Sequence, residues 1–581
     1  MASVRFEQFT GMAPRVGTKR LPLGAAQDAI DIGFKAGRIV PQRGYGYRRL
    51  GELPANTQSY YQKGLVGLTS PSIVDYVESP VRDDTHNRIF LCTQGGTHLT
   101  FAATNGFAGY NTSLDISANP SMPSLVYNVG LPAPSSAPTL NLGTYTGTAD
   151  VSAVSYVYTV VDHHGVESAP SPPSNVTERH DGQVVTVVTG LGTYTNYAMG
   201  ATAKKRYYRT ATGASSTEFF FVGEGQYSST NFQDFTVDAE LGEPLQTEGH
   251  LPPPTNLRSL CAHPQGFLIA HKDNLICFSE PYLPNAWNPD NQLSTEYDII
   301  GIRPSASGIV VCTERHTYLM SGNSPSTMDL TLIETDYPCV AGRTMAEIDG
   351  SVLYAAAEGI VAVTGNQAQL ITKELLDKAT FEEVFQTPPY RNLNRSDWWA
   401  VGFDGKYIMY YVNRVTTNDA IPLPVSIYAK GGIVLDLKEN AYSKLSTYYR
   451  SGHIPADDKE LRLVADSEVD NANYAIWDYG WDTTAGTHQA LSDLNYQWTS
   501  GDLRLHDQIL FAWMKVEFDD ADDVTVEIRI DDVIVFTKVV SDVEPFRLPS
   551  NLRGDYFNVK LSGVAVVESV VLADTIEELE P

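Results

Sequence analysis

Asp519, Asp520, Asp522 and Asp523 form the densest set of side chains able to do chemistry. Hard carboxylate oxygens suit Ca²⁺, which takes several of them at once. The set lacks the glycine and the spaced acids of a calcium loop, so a solvated hairpin turn is the favoured reading. Asp470, Trp477, Asp478, Trp481 and Asp482 combine carboxylates with aromatic faces. That mixture serves a sugar or an ion, but packed aromatics in a connecting loop account for it with fewer assumptions. His163 and His164 are half of a metal site, yet no third ligand stands at useful spacing, so a polar turn is preferred.

His263 and His271 flank an apolar run, and no nucleophile elbow or ordered triad singles out a serine, histidine or aspartate. The glycine-rich places lack the Gly-Lys-Ser/Thr of a phosphate loop. Basic residues cluster at Lys204, Lys205 and Arg206 and again from Arg38 to Arg49. Either cluster could meet an acidic neighbour or a phosphate, against a default of a solvated face. No catalytic, cofactor-binding or metal-ligating residue is assigned. The expectation is a protein that is not an enzyme and carries no cofactor.

The elements that would position such residues are β-strands. Residues 266–280 read GFLIAHKDNLICFSE, 308–322 read GIVVCTERHTYLMSG, and 350–365 read GSVLYAAAEGIVAVTG. Each has an apolar run, a polar turn and a second apolar run. Gly266, Gly308 and Gly350 stand about 42 residues apart, the period of propeller blades. A hairpin of this kind cannot bury both faces alone and stacks on its neighbour. The fold class expected is all-β: a β-propeller with an inserted fibronectin-III-like sandwich and a C-terminal β-sandwich.

In order, residues 1–50 read as an N-terminal arm and a first strand, lying on a partner or packed on their own domain. Residues 51–131 hold the first blade or blades. Residues 132–254 form the inserted sandwich, carried by the order Tyr156, Tyr158, Thr159, Val160, Val161, Asp162, Gly165, Glu167, Ser168, Pro170. Residues 255–495 hold the remaining blades, with Asp404-Gly405 as a tight hairpin turn and one helix predicted over 373–385. Residues 496–581 alternate cleanly enough for the second sandwich.

Forty-one basic against 69 acidic residues give a formal charge of −28, the opposite of what a phosphate-neutralising protein shows. Solubility explains it; a surface that lets a polyanion pass without holding it is the sharper reading. Cys92, Cys261, Cys277, Cys312 and Cys339 are scattered and odd in number, which argues against a secreted disulfide framework. Residues 1–20 lack the apolar core of a secretion signal, and no apolar run is long enough for a membrane helix, so a soluble cytosolic product without stable membrane insertion is expected.

Several short motifs remain: Gly11-x-x-Pro14-Arg15 with Ala36-Gly37-Arg38, Ser279-Glu280-Pro281 with Asn285-Ala286-Trp287, and 317–322 (TYLMSG). Cys339-Val340-Ala341-Gly342-Arg343 with 353–360 (LYAAAEGI), and 546–549 (FRLP) with Leu561-Ser562-Gly563, complete the set. Together they resemble podovirus tail nozzle proteins, also known as tail tubular protein B or packaged-DNA stabilisation proteins. The match spans most of the chain through short, degenerate pieces. It implies a structural subunit of the virion tail, assembled in the bacterial host cytoplasm as a homo-oligomeric, hexameric ring. That ring would sit below the portal and adaptor, beside tail fibres or spikes, and would retain packaged DNA and conduct it during ejection without specific binding. The reading set against it is a carbohydrate-binding or glycan-hydrolysing propeller with accessory sandwiches. Glycosidases need paired carboxylates, and sialidases an Asp-box, and neither stands out here.

Overall fold

A computed structural model describes residues 3–42, 52–53, 57–63, 66–103, 126–211, 218–376, 378, 381, 398–413, 429–456, 459–465, 474–479, 494–504, 511–519, 522–550 and 554–579. The chain is all-β, with three packed bodies: a propeller, an inserted sandwich and a terminal sandwich. Among the described residues no helix is long and apolar enough to cross a membrane.

Among the described residues the propeller carries six four-stranded antiparallel blades. The three repeat units become Arg258–His263 to Gln292–Ser294, Ile299–Ser305 to Asp329–Ile333, and Ala346–Ile348 to Gln367–Leu370. They are the second, third and fourth blades. The first runs from Val74–Glu78 to Val126–Asn128, and the fifth from Trp399–Phe403 to Ala441–Leu445. The sixth, Tyr449–His453, Leu461–Ala465 and Tyr474–Tyr479, takes its outer strand from Glu52–Leu53 near the other end of the chain. Between the sixth and first blades stands a hairpin, Ser59–Lys63 with Val66–Ser70. Tyr61 stacks on Tyr76 of the first blade at 5.3 Å and meets His453 of the sixth at 4.5 Å, which closes the ring.

The turns are set by residue type. Asp349-Gly350 and Asp404-Gly405 each place two successive residues at positive φ, 49° and 83° in one and 49° and 70° in the other, as a tight hairpin matching strand twist requires. Neighbouring blades bury separate apolar layers. Phe267, Ile269, Ile302, Val311 and Met320 join the second to the third, and Val310, Cys312, Met345, Val352 and Val361 join the third to the fourth. All five cysteines are free and buried in layers of this kind, where a thiol behaves as a small apolar group.

The inserted body leaves after the first blade and returns at the second. Its strands form three small sheets around Val154, Tyr156, Tyr158, Val185, Val187 and Tyr207. The motif that announced it works as a hydrogen-bond hub. Asp162 accepts the amides of His164 (2.8 Å) and Val166 (2.9 Å), and Glu167 accepts the hydroxyls of Thr159 (2.6 Å) and Tyr208 (2.7 Å).

The terminal sandwich differs from expectation in its membership. Residues 1–50, read as an arm, instead supply strands to it. Ser3–Phe6 pairs with Val567–Ala573, Arg38–Pro41 bridges the same strand, and Ala25–Ile30 pairs with Tyr496–Ser500. Phe6 and Phe9 pack edge-on against the buried Trp498 at 5.7 and 5.0 Å. Ile30 also bridges Lys444, so one sheet runs on from the fifth blade into the sandwich. The helix expected over 373–385 opens as a turn at 371–375. Lys378 and Phe381 are helical, and the rest of 377–385 lies outside the described residues.

Candidate functional site

The inner strands converge on an axial cavity of about 360 Å³. It is lined by Asp75 from the first blade, Arg258, Ser259 and His271 from the second, Arg303 from the third and Arg343 from the turn that opens the fourth. Trp399, Ser451 and Ser59 complete the wall from the fifth and sixth blades and the closing hairpin.

Local sequence explains how the cations arrive there. Arg343 rides on one turn of 3-10 helix, Gly342–Thr344, pressed against the third blade. A Cβ on Gly342 would stand 2.1 Å from the Ile300 carbonyl oxygen, so only glycine allows the approach. Opposite it, a Cβ on Gly301 would meet Met345 Sδ at 2.8 Å. Arg303 donates its Nε to the Met345 carbonyl at 2.9 Å, which anchors one edge of the guanidinium. Arg343 Nη2 reaches the Arg450 carbonyl at 3.5 Å.

Asp75 is the one carboxylate among the described lining residues. Burial raises its pKa, while the charges of Arg303 and Arg343 and the amides of Leu260 and Ser259 pull the other way. His271 is 2% exposed and shares a 3.2 Å hydrogen bond between Nε2 and Ser259 Oγ. Burial pushes its pKa down to about 4, so it stands neutral at pH 7. Three arginines, Arg258, Arg303 and Arg343, thus face one carboxylate, in a chain whose formal charge is −28. The cavity mouth is a local cationic site on an acidic protein, suited to an anionic group that also offers hydroxyls.

The residues singled out from sequence fall elsewhere. Asp519, Asp522 and Asp523 are exposed at a turn, and Asp520 lies outside the described residues. The side chains of Asp470, Trp477, Asp478, Trp481 and Asp482 also lie outside them. His163 and His164 sit where the inserted sandwich meets the first blade. There His86 supplies the third histidine that spacing could not, its ring 4.5 Å from His164. Burial and the neighbouring His86 and His163 push His164 down to about 4, and Phe101 and Tyr127 complete an aromatic cluster. Among the described residues no group of three or more His, Cys, Asp or Glu is arranged to hold a metal ion.

Lys204 pairs with Glu224 at 2.8 Å, and Arg206 pairs with Glu167 at 2.7 Å. Lys205 is buried, its ammonium donating to Thr189 Oγ1 and to the carbonyls of Gly190 and Ser229 at 2.9–3.0 Å. Arg38 pairs with Glu568 at 3.2 Å, and residues 43–49 lie outside the described set. Sequence reading missed the axial arginines, although Arg258, Arg303 and Arg343 recur at close to the blade period.

No family model and no curated protein matches the chain. Among solved structures it is similar to an exo-β-1,3-galactanase from Phanerochaete chrysosporium. That match has 9% identity, covers 67% of this chain and 100% of that one, and has a TM-score of 0.17. A structure described as the Dos1 propeller shares 11% identity over 84% of this chain and 96% of its own, with a TM-score of 0.19. A glycoside hydrolase family 43 arabinoxylan arabinofuranohydrolase from Bacillus subtilis shares 10% identity over 68% and 94%, with a TM-score of 0.15. Because glycoside hydrolases stand among these matches, the expectation that the chain is no enzyme is corrected and withdrawn. At such TM-scores the matches assign no activity in its place.

Proposed function

We propose that the chain is a subunit of a podovirus tail nozzle, a ring in the virion tail that retains packaged DNA and conducts it during ejection. The observation that carries this reading is the strand Val533–Val540. Among the described residues it ends its sheet with one edge unpaired, and it exposes Val533 (64%), Ile534 (53%), Val535 (38%) and Val539 (54%). A long apolar edge is an aggregation hazard unless another chain covers it. Val535 is bulged out between the pairs Ile528–Phe536 and Arg529–Ile534, which discourages simple strand addition. A neighbouring subunit packing on these apolar side chains is the occupant that a ring would supply.

The residues of the sequence resemblance support the same reading as framework positions. Gly11 packs where a Cβ would stand 2.4 Å from the Tyr442 amide nitrogen. Arg15 Nη1 donates to the Lys373 carbonyl at 2.5 Å, and the Trp287 indole donates to the Pro284 carbonyl at 2.9 Å. Electron microscopy with particle averaging on the purified protein, alone and with its portal and adaptor partners, tests the proposal. A six-fold ring with an axial opening wide enough for duplex DNA is expected. Monomers that ignore those partners would sink it.

A second reading is favoured by one observation, the arginine-lined axial cavity. On that reading the propeller binds a glycan at its mouth, with Asp75 available to accept sugar hydroxyls. Glycan binding by the wild-type chain that Asp75→Ala abolishes is the result it requires.

A further inference from the structure

We infer that the axial cavity is a receptor site for a uronic-acid saccharide, its carboxylate held by Arg258 and Arg303 and its ring hydroxyls by Asp75 and the neighbouring serines. This deepens the glycan reading and rests on it, not on assembly into a ring.

Three features select that ligand class. The first is an excess of cationic charge: Arg258, Arg303 and Arg343 line one cavity against the single carboxylate of Asp75, whose charge is shared between Arg303 and Arg343. Guanidinium forks match planar carboxylates in bidentate geometry. The second is the single acid. Asp75 faces the same space and would repel a polyphosphate or a nucleic-acid backbone, but it accepts hydrogen bonds from hydroxyls. Ser259 and Ser451 add short polar side chains to the same wall, while the Ser59 hydroxyl is spent on the Ser72 carbonyl and the Val74 amide. A ligand that carries one carboxylate on a hydroxylated ring satisfies both signs at once. The third is size and wall chemistry. About 360 Å³ lies at the lower end of the range for small-molecule sites, roughly 300–1,000 Å³, and so suits one or two sugar rings. Trp399, with its indole N–H committed to the Tyr449 carbonyl at 2.7 Å and its ring stacked on Tyr410 at 4.9 Å, closes one side of the wall as a fixed apolar edge.

The experiment is isothermal titration calorimetry on the full chain with trigalacturonate, neutral cellotriose and inorganic phosphate. Trigalacturonate is expected to bind, to weaken at least tenfold in Arg303→Ala and in Arg258→Ala, and to weaken with added salt. Arg303→Lys keeps the charge and loses the fork, and should fall between wild type and Arg303→Ala. Arg82→Ala, at an exposed position away from the cavity, should bind as wild type does. Melting curves of each variant confirm that it is folded. Binding of cellotriose without trigalacturonate overturns the uronate inference and leaves the glycan reading standing. Absence of binding to either sugar overturns both. Phosphate binding as tight as uronate, or uronate binding untouched by the arginine variants, overturns the inference as well.

Discussion

Replacing Asp234 by alanine should unfold the inserted sandwich far below the temperature at which the propeller melts. The Asp234 side chain is 0% exposed, between the equally buried guanidiniums of Arg179 at 3.0 Å and Arg209 at 3.2 Å. Its carboxylate also accepts the Tyr156 hydroxyl at 2.7 Å and the Thr236 amide at 2.8 Å. Alanine leaves two buried cations with Asp238, itself bonded to Arg209, as the remaining carboxylate in contact. Removing one partner of a buried ion network destabilises by about 3–5 kcal/mol, because the stranded charge stays desolvated. For a body of this size each kcal/mol moves the midpoint by roughly 4 °C, so the expected drop is about 12–20 °C.

The distribution of tryptophan supplies the assay. None of the seven tryptophans lies within residues 132–254. The sandwich transition should therefore appear in differential scanning calorimetry of the full chain while tryptophan fluorescence, which reports the other two bodies, stays unmoved. Asp234→Asn keeps one oxygen, enough for the Thr236 amide, but loses the charge and the second oxygen that accepts the Tyr156 hydroxyl, and should lose at least half as much. A shift below about 4 °C for Asp234→Ala would refute the claim that this network holds the sandwich together.

Other expectations concern pH, the axial joint and the apolar edge. Burial pushes Lys205 down to about 8 from 10.5, so the unfolded chain binds the extra proton between those values. Stability of the sandwich should then rise from pH 8 to about 9.5, below the range where its tyrosines titrate, and Lys205→Met should flatten that slope. A calorimetric midpoint that falls over the same interval in wild type contradicts this. Gly342→Ala drives a methyl group against the Ile300 carbonyl, and should cost about 1–3 kcal/mol in denaturant titration while weakening any ligand that uses Arg343. Unchanged stability would mean that the joint yields freely. Ile534→Lys with Val539→Lys should abolish ring formation in sedimentation while changing monomer stability by no more than about 0.5 kcal/mol per site, since both side chains face solvent. Rings that persist would place the subunit contact elsewhere.

Much of the architecture was open to local reading. The three hairpins of 266–280, 308–322 and 350–365 became blades because each apolar run and each Asp-Gly or polar turn acts within a few residues, and a fixed period repeats it. The inserted sandwich was legible for the same reason: Asp162 and Glu167 hold their own hairpin and the strand beside it.

Long-range pairings were not open to such reading. Ser3–Phe6 finds Val567–Ala573, and Glu52–Leu53 finds Tyr474–Tyr479, across almost the whole chain. Short strands carry too little pattern to name a partner so far away, so a sandwich strand with only Phe6 buried read as an arm. The axial site was hidden for a related reason. Arg258, Arg303, Arg343 and Asp75 each look like an ordinary solvated charge in sequence, and no motif joins them. Closing the ring is what brings three inner strands and the turn that opens the fourth blade to one axis, and the two facing glycines, Gly301 and Gly342, let it close tightly enough there. Sequence by itself determined the blades, the turns and the sandwich grammar, because those depend on neighbours in the chain. Tertiary structure alone decided which charges meet, because convergence on an axis is a property of the closed ring.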